Sequence, residues 1–211
     1  LPLKSGRVPP ATITRLSLYA RRLEELKTAR TTVVSSDRLA SLCQVNPAQI
    51  RKDLTYFGEF GVRGVGYYVE ELLFQIHKII GLNRVWNLGL VGVGNLGTAL
   101  ACYENFSKRG YLFSAAFDND PRKIGTKLPC GLIIEPVERL IATCRELDIE
   151  IGAVATPAER AQEAVDLLVS VPVRAILNFA PAQVQVPEGV EVASVDFAGH
   201  LDRLAYHLTS R

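Results

Sequence analysis

Two hydrophobic rhythms run along this chain, and the change from one to the other divides it. In the first part, apolar side chains at Ile13, Leu16, Tyr19, Leu23 and Leu26 recur in steps of three and four, which predicts a helix over residues 13–27. Ser35 or Ser36 offers a capping oxygen for a short second helix, with Leu39 and Leu42 facing inward. Asn46 before Pro47 reads as another helix start, because proline lacks the N–H that has no partner in a first turn. That third helix runs from Ala48 to about Phe57, burying Ile50, Leu54 and Phe57, and stops at Gly58. Glycines 58, 61, 64 and 66, interleaved with Phe60, Val62, Val65 and Tyr67, predict a twisted hairpin. A fourth helix is expected from Glu70 to Ile80, closed by Gly81.

Beyond residue 84 short apolar runs alternate with helical segments. Strands are expected over 85–91, 111–117, 132–135, 149–155, 173–177 and 190–195. Helices are expected from the Gly92–Gly97 turn to about Arg109, over 136–146 and 158–170, and from Phe197 to Leu208. Strand–helix alternation of this length is the mark of a parallel sheet. The fold class is therefore α/β. A winged helix-turn-helix domain spans residues 1–81, a linker 82–84, and a Rossmann-like parallel-sheet domain 85–196, with a C-terminal helix over 197–211.

Charge sharpens this division. Residues 1–84 carry 13 Lys/Arg against 7 Asp/Glu, and the remainder 11 against 15. A basic head on an acidic body points to an anionic partner for the head. On the third helix Lys52 points away from the buried face, flanked by Ala48 and Thr55, with Gln49, Arg51 and Tyr56 at the margins. Such side chains on a recognition helix reach base edges and phosphates in a major groove; a solvated helix face is the other reading of the same pattern. Arg63, beside Gly64 near the hairpin tip, suits a minor groove or a phosphate, if the segment is a wing rather than a plain surface loop.

The remaining composition mostly excludes. A hydrophobic share of 48% argues against disorder. No apolar run approaches a membrane span and no signal-peptide pattern opens the chain, so a cytoplasmic protein is expected. The sequence begins at Leu1 and contains no methionine, which places the expected native start upstream. Cys43, Cys102, Cys130 and Cys144 match no zinc or redox spacing and read as buried, reduced thiols. His77, His200 and His207 form no ligand pair, and no metal is expected.

Gly92-Val93-Gly94-Asn95-Leu96-Gly97 carries the candidate chemistry of the body. It follows a strand and opens a helix, the context in which its glycines allow a tight turn, approach of backbone to a pyrophosphate, and close helix–strand packing. Asp118 ends the second strand 21 residues beyond Gly97, where an acid is expected on the adenosine ribose. A carboxylate there repels a 2′-phosphate and favours NAD over NADP, although Arg122 and Lys123 lie close by. Thr156, Pro157, Asn178, Asp196 and Phe197 fall at carboxyl ends of strands, where parallel sheets bind ligands. No His–Asp pair or Tyr-x-x-x-Lys dyad accompanies them, so hydride transfer lacks its acid or base. A regulator binding a nucleotide or CoA remains an alternative to an NAD sensor.

Taken together, Gln49–Leu54, Tyr56–Gly58, Arg63–Tyr67, Gly92–Gly97, Phe117–Pro121, Asn178–Pro181 and Val195–Phe197 resemble one family over nearly the whole chain: the redox-sensing transcriptional repressor Rex of bacteria. The resemblance implies a homodimer whose last helix crosses to the partner, a palindromic DNA operator, and release from it when NADH binds. NAD(H) would thus be a regulatory ligand, and the protein not an enzyme. It further implies a switch in which Asp196 pairs with Arg21 in one state and Tyr103 in the other, with Phe197 at the nicotinamide. Asn95 and the segment Gly199-His200-Leu201-Asp202 depart from the family's common pattern.

Overall fold

A computed structural model describes residues 8–209. The chain forms two compact units, residues 1–84 and 85–211.

In the first unit, helix α1 spans Pro10–Thr28, with Leu16, Tyr19, Leu23 and Leu26 buried. Ile13 proves exposed; Thr12 and Ala20 complete the inner face in its place. Strand β1 (Val33–Val34) leads to α2 (Ser36–Cys43), which Ser35 caps by accepting the Arg38 N–H at 3.1 Å. Leu39 is buried as expected, but Leu42 is exposed, and Ala40 and Cys43 fill its place in the core. Helix α3 (Pro47–Thr55) starts at Asn46, whose side chain accepts the Ala48 N–H at 2.8 Å. It ends two residues earlier than expected, at Thr55, and a turn carries Phe57 into the core. Strand β2 (Tyr67–Tyr68) pairs antiparallel with β1, and α4 (Val69–Ile79) closes the unit. The expected hairpin is a loop held by one bridge, Val62 to Gly66, with Arg63 and Gly64 at its tip; the regular ladder is β1 with β2 at its base.

The second unit is a six-stranded, wholly parallel sheet. Its strands are β3 (Trp86–Val91), β4 (Tyr111–Asp118), β5 (Ile134–Pro136), β6 (Ile151–Val154), β7 (Ala175–Asn178) and β8 (Glu191–Ser194), in the order β5-β4-β3-β6-β7-β8. The chain order reverses between β3 and β6, and this switch point opens a crevice at the strands' carboxyl ends. The helix expected to run unbroken to Arg109 is two, α5 (Asn95–Ala101) and α6 (Glu104–Lys108), because Tyr103 is extended (φ −81°, ψ 102°). Helices α7 (Leu140–Glu146) and α8 (Ala161–Val169) each follow a single 3-10 turn, and α9 (Phe197–Thr209) ends the described chain.

Two cores flank the sheet, as the strand period of two requires. Phe117 packs with Leu140 and Leu168 in one, and Leu90 with Phe113 and Ala116 in the other. Phe113 and Ala115, two apart, nevertheless fall in different cores. A register shift opposite Leu88/Gly89 leaves Ser114 as the extra residue and turns Phe113 to the face of Ala116. Full burial of a side chain such as Phe117 contributes about 2–3 kcal/mol.

Candidate functional site

Helix α3 is fixed from its buried side. Asp53 is completely enclosed and accepts five hydrogen bonds: from Thr12 Oγ1 (3.1 Å), Arg15 Nε (2.6 Å) and Nη2 (2.7 Å), the Tyr19 hydroxyl (2.8 Å) and Gln49 Nε2 (2.9 Å). Burial alone would raise the Asp53 pKa. The bonds from Arg15, Tyr19, Gln49 and Thr12 outweigh it and hold the carboxyl below its usual range. The same contact raises the Arg15 pKa, and burial followed by the Asp53 bond raises that of Tyr19. Asp53 therefore clamps α3 to α1. Its place one residue after the outward Lys52, on the inner side of α3, is the signal for it in the sequence.

Of the residues expected to meet DNA, Ala48, Arg51, Lys52, Thr55 and Arg63 are exposed. Gln49 is turned in on Asp53, and Tyr56 lies half-buried against the core beside Phe57. Arg51 and Arg63 line one groove of about 390 Å³ with Ser35, Ser36 and the residues of the wing. Two guanidinium groups and two hydroxyls on one groove suit phosphate oxygens. The serines entered the sequence reading only as helix caps.

In the second unit a cleft of about 700 Å³ opens at the switch point. Gly92, Val93, Gly94, Asp118, Thr156 and Pro157 line it, so six of the expected ligand residues, from three strand ends, converge there. Gly92 has φ +94°, and a Cβ on it would meet the Ala155 carbonyl at 2.8 Å. A Cβ on Gly94 would point into open space, which leaves that backbone approachable. The Thr156 hydroxyl is buried and, among the described residues, has no hydrogen-bond partner. An orphaned hydroxyl beside an open glycine backbone fits a polar ligand such as a dinucleotide. Asn119, Asp120, Lys123, Glu138 and Arg160 also line the cleft; strand-end position was the signal for Arg160, four residues past Thr156.

Asp118 does more than end a strand. It accepts the Val93 N–H at 2.8 Å, the Asp120 N–H at 2.9 Å and Lys123 Nζ at 3.0 Å, tying the glycine turn to β4. Burial would raise its pKa; the Asp120 and Val93 amides, then Lys123, bring it below the usual range. Arg122 is held by Asp120, whose pKa falls to about 2 through those bonds. Arg122 and Lys123 are thus both engaged by carboxylates.

The other residues expected at the nucleotide site do not line this cleft. Asn95, Leu96 and Gly97 continue the turn into α5 without lining it. Asn178 is fully buried, its amide bonded to the Ala182 carbonyl (2.9 Å) and the Ala180 N–H (3.0 Å), which gives it a local structural duty. Asp196 caps α9 by accepting the Gly199 N–H at 2.9 Å, and Phe197 is exposed. Arg21 is exposed on α1, and Tyr103, which residue patterning alone would bury, is 53% exposed with its hydroxyl accepting from Asn105.

Residues 7–55 match the family model described as "Putative DNA-binding protein N-terminus", and residues 83–182 match "CoA binding domain". The redox-sensing transcriptional repressor Rex of Syntrophobacter fumaroxidans is 55% identical over 207 residues, covering 98% of this chain and 99% of that one. Its counterpart in Maridesulfovibrio salexigens is 49% identical over 208 residues, covering 99% of each. The crystal structure of RSP in complex with beta-NAD+ and operator DNA is similar at a TM-score of 0.92 and 37% identity, covering 98% of this chain and 94% of that one. RSP in complex with beta-NADH gives 0.86 at 35% identity, covering 98% and 96%.

Proposed function

The chain belongs to the Rex family of redox-sensing transcriptional repressors, and from that premise we propose how its own residues read the NADH/NAD+ balance and pass it to DNA. It is a DNA-binding repressor with a Rossmann-like nucleotide domain, and a regulator rather than an enzyme. NAD(H) is its regulatory ligand and double-stranded operator DNA its partner; NADH binding releases the operator.

At residue level, Gly92, Val93 and Gly94 form the backbone wall for the pyrophosphate, with Asp118 holding that wall in place and facing the adenosine ribose. Thr156 and Pro157 form the opposite wall. A 2′-phosphate would meet Asp118 with no disengaged cation at Arg122 or Lys123, which favours NAD(H). The reduced nicotinamide is neutral and the oxidised ring positive, so apolar surroundings favour the reduced form; Phe197, exposed in this structure, would have to move against the ring to supply them. The cleft is the observation that carries this reading: six expected residues meet there, and one of them, Thr156, has a buried hydroxyl with no hydrogen-bond partner among the described residues.

Lys52, Arg51, Thr55 and Ala48 form the major-groove face of α3, and Arg63 the wing contact. Gln49 serves chiefly through Asp53. The chain acts as a cytoplasmic homodimer on a palindromic site. Helix α9 supports that: it buries none of its residues, and Leu201, Leu204 and Leu208 stand 65%, 57% and 77% exposed on one stripe. A switch pairing Asp196 with Arg21 or Tyr103 in turn would use side chains that stand exposed in this structure.

Fluorescence of NADH bound to the protein, competed by NAD+, NADPH and CoA, tests the cleft assignment. NADH should bind most tightly, with NADPH and CoA weak competitors. Displacement by CoA at concentrations below those of NAD+ would instead favour a CoA-responsive regulator, the reading that the second family model suggests.

A further inference from the structure

We propose that Cys102 and Cys130 form a reversible disulfide, making the end of α5 an oxidation site outside the nucleotide cleft. The four thiols divide into two kinds. Cys43 and Cys144 are buried, and burial pushes each up to about 11, so they are inert packing residues. Cys102 is half-buried and Cys130 exposed, which corrects the expectation that all four are buried. The fold brings these two together across 28 residues of chain. Cys102 ends α5, and Cys130 lies in the turn closed by the Gly131 N–H to the Leu128 carbonyl at 2.8 Å. The Cys130 N–H donates to Cys102 Sγ at 3.3 Å. That contact puts the two residues side by side, and rotation of the cysteine side chains is the motion that would bring the sulfurs to the ~2.05 Å of a disulfide bond. Burial, with Cys130 beside it, raises the Cys102 pKa.

The oxidant is hydrogen peroxide. The exposed Cys130 gives its proton to solvent and its sulfur attacks one peroxide oxygen; an S–O bond forms, the O–O bond breaks, and the hydroxide released takes up a proton from solvent and leaves as water. Cys102 sulfur then attacks the sulfenic sulfur. The S–S bond forms, and the displaced hydroxide leaves as water with the Cys102 proton. Two thiols are oxidised and one hydrogen peroxide is reduced to two waters. Because Tyr103 follows Cys102 directly, the bond would fix the break between α5 and α6 to the loop joining β4 and β5.

The test treats the full chain with one equivalent of hydrogen peroxide, alkylates free thiols, and maps peptides without reduction. The expected result is a Cys102–Cys130 linked peptide, a mass lower by two hydrogens, two of the four thiols lost, and full recovery with dithiothreitol. Cys102→Ser and Cys130→Ser should each abolish the linked peptide, and Cys102→Ser should let Cys130 proceed to sulfinic acid. Cys130 oxidised alone in the unmodified chain, or a chain-to-chain disulfide on a non-reducing gel, would overturn the proposal. NADH fluorescence, read on the reduced protein, is independent of this outcome.

Discussion

Lys52 and Asp53 are neighbours on α3 with opposite duties. Lys52 is exposed with its charge toward solvent, and Asp53 is enclosed by five donated hydrogen bonds. Lys52→Ala should weaken operator binding by about tenfold, flatten the salt dependence, and leave NADH affinity unchanged. Anisotropy with labelled operator, beside NADH fluorescence, checks this; a fall in both would make Lys52 structural. Asp53→Ala should cost about 3 kcal/mol, because Arg15 loses its buried partner, and thermal melting should show it. The pH dependence follows in sign. The folded-state pKa of Asp53 is lowered, so its contribution is complete above the unfolded carboxylate value near ~4 and is lost as pH falls through the lower folded value. Asp118 behaves likewise in the second unit. Acid melts should therefore lose stability below about pH 4, and Asp53→Asn should flatten that loss. Asp118→Ala should weaken NADH more than NADPH. Equal losses would assign Asp118 to holding the Val93 turn alone.

At the scale of elements, α9 makes the sharpest prediction. Leu204→Asp on its exposed stripe should shift the protein from dimer toward monomer in sedimentation equilibrium, with secondary structure retained. An unchanged dimer would place the interface elsewhere. Elements with strong local signals were legible: Asn46-Pro47 started α3, Ser35 capped α2, and the glycine turn fell between β3 and α5. What escaped depends on contacts distant in sequence. Leu42 and Cys43 compete for one core position, and only the packing of α2 on α1 and α3 decides between them. The break at Tyr103 has no proline or glycine to announce it; Tyr103 leaves the helix to pack edge-on against Phe106, which in turn meets Phe113. In the cleft, Gly92 and Asp118 were readable from spacing, but the bond between Asp118 and Val93 joins residues 25 apart and could not be. Asn178 does not line the cleft and bonds within its own turn, and a strand-end asparagine looks alike in sequence whether it serves a crevice or its own turn.

For the whole molecule, the two units matter only through their coupling. A ligand shifts a two-state dimer by its differential affinity alone, and operator and NADH must weaken each other by the same factor. Strong derepression needs about 100-fold, or ~2.7 kcal/mol, between the states. NAD+ must lack most of that preference, or the protein would report nucleotide concentration rather than redox balance. The most direct measurement is a titration of the preformed operator complex with NADH and, in parallel, with NAD+, followed by anisotropy at fixed salt. Release by NADH with little or no release by NAD+ at equal concentration is the predicted result. Equal release by the two nucleotides, or none by NADH, would contradict it.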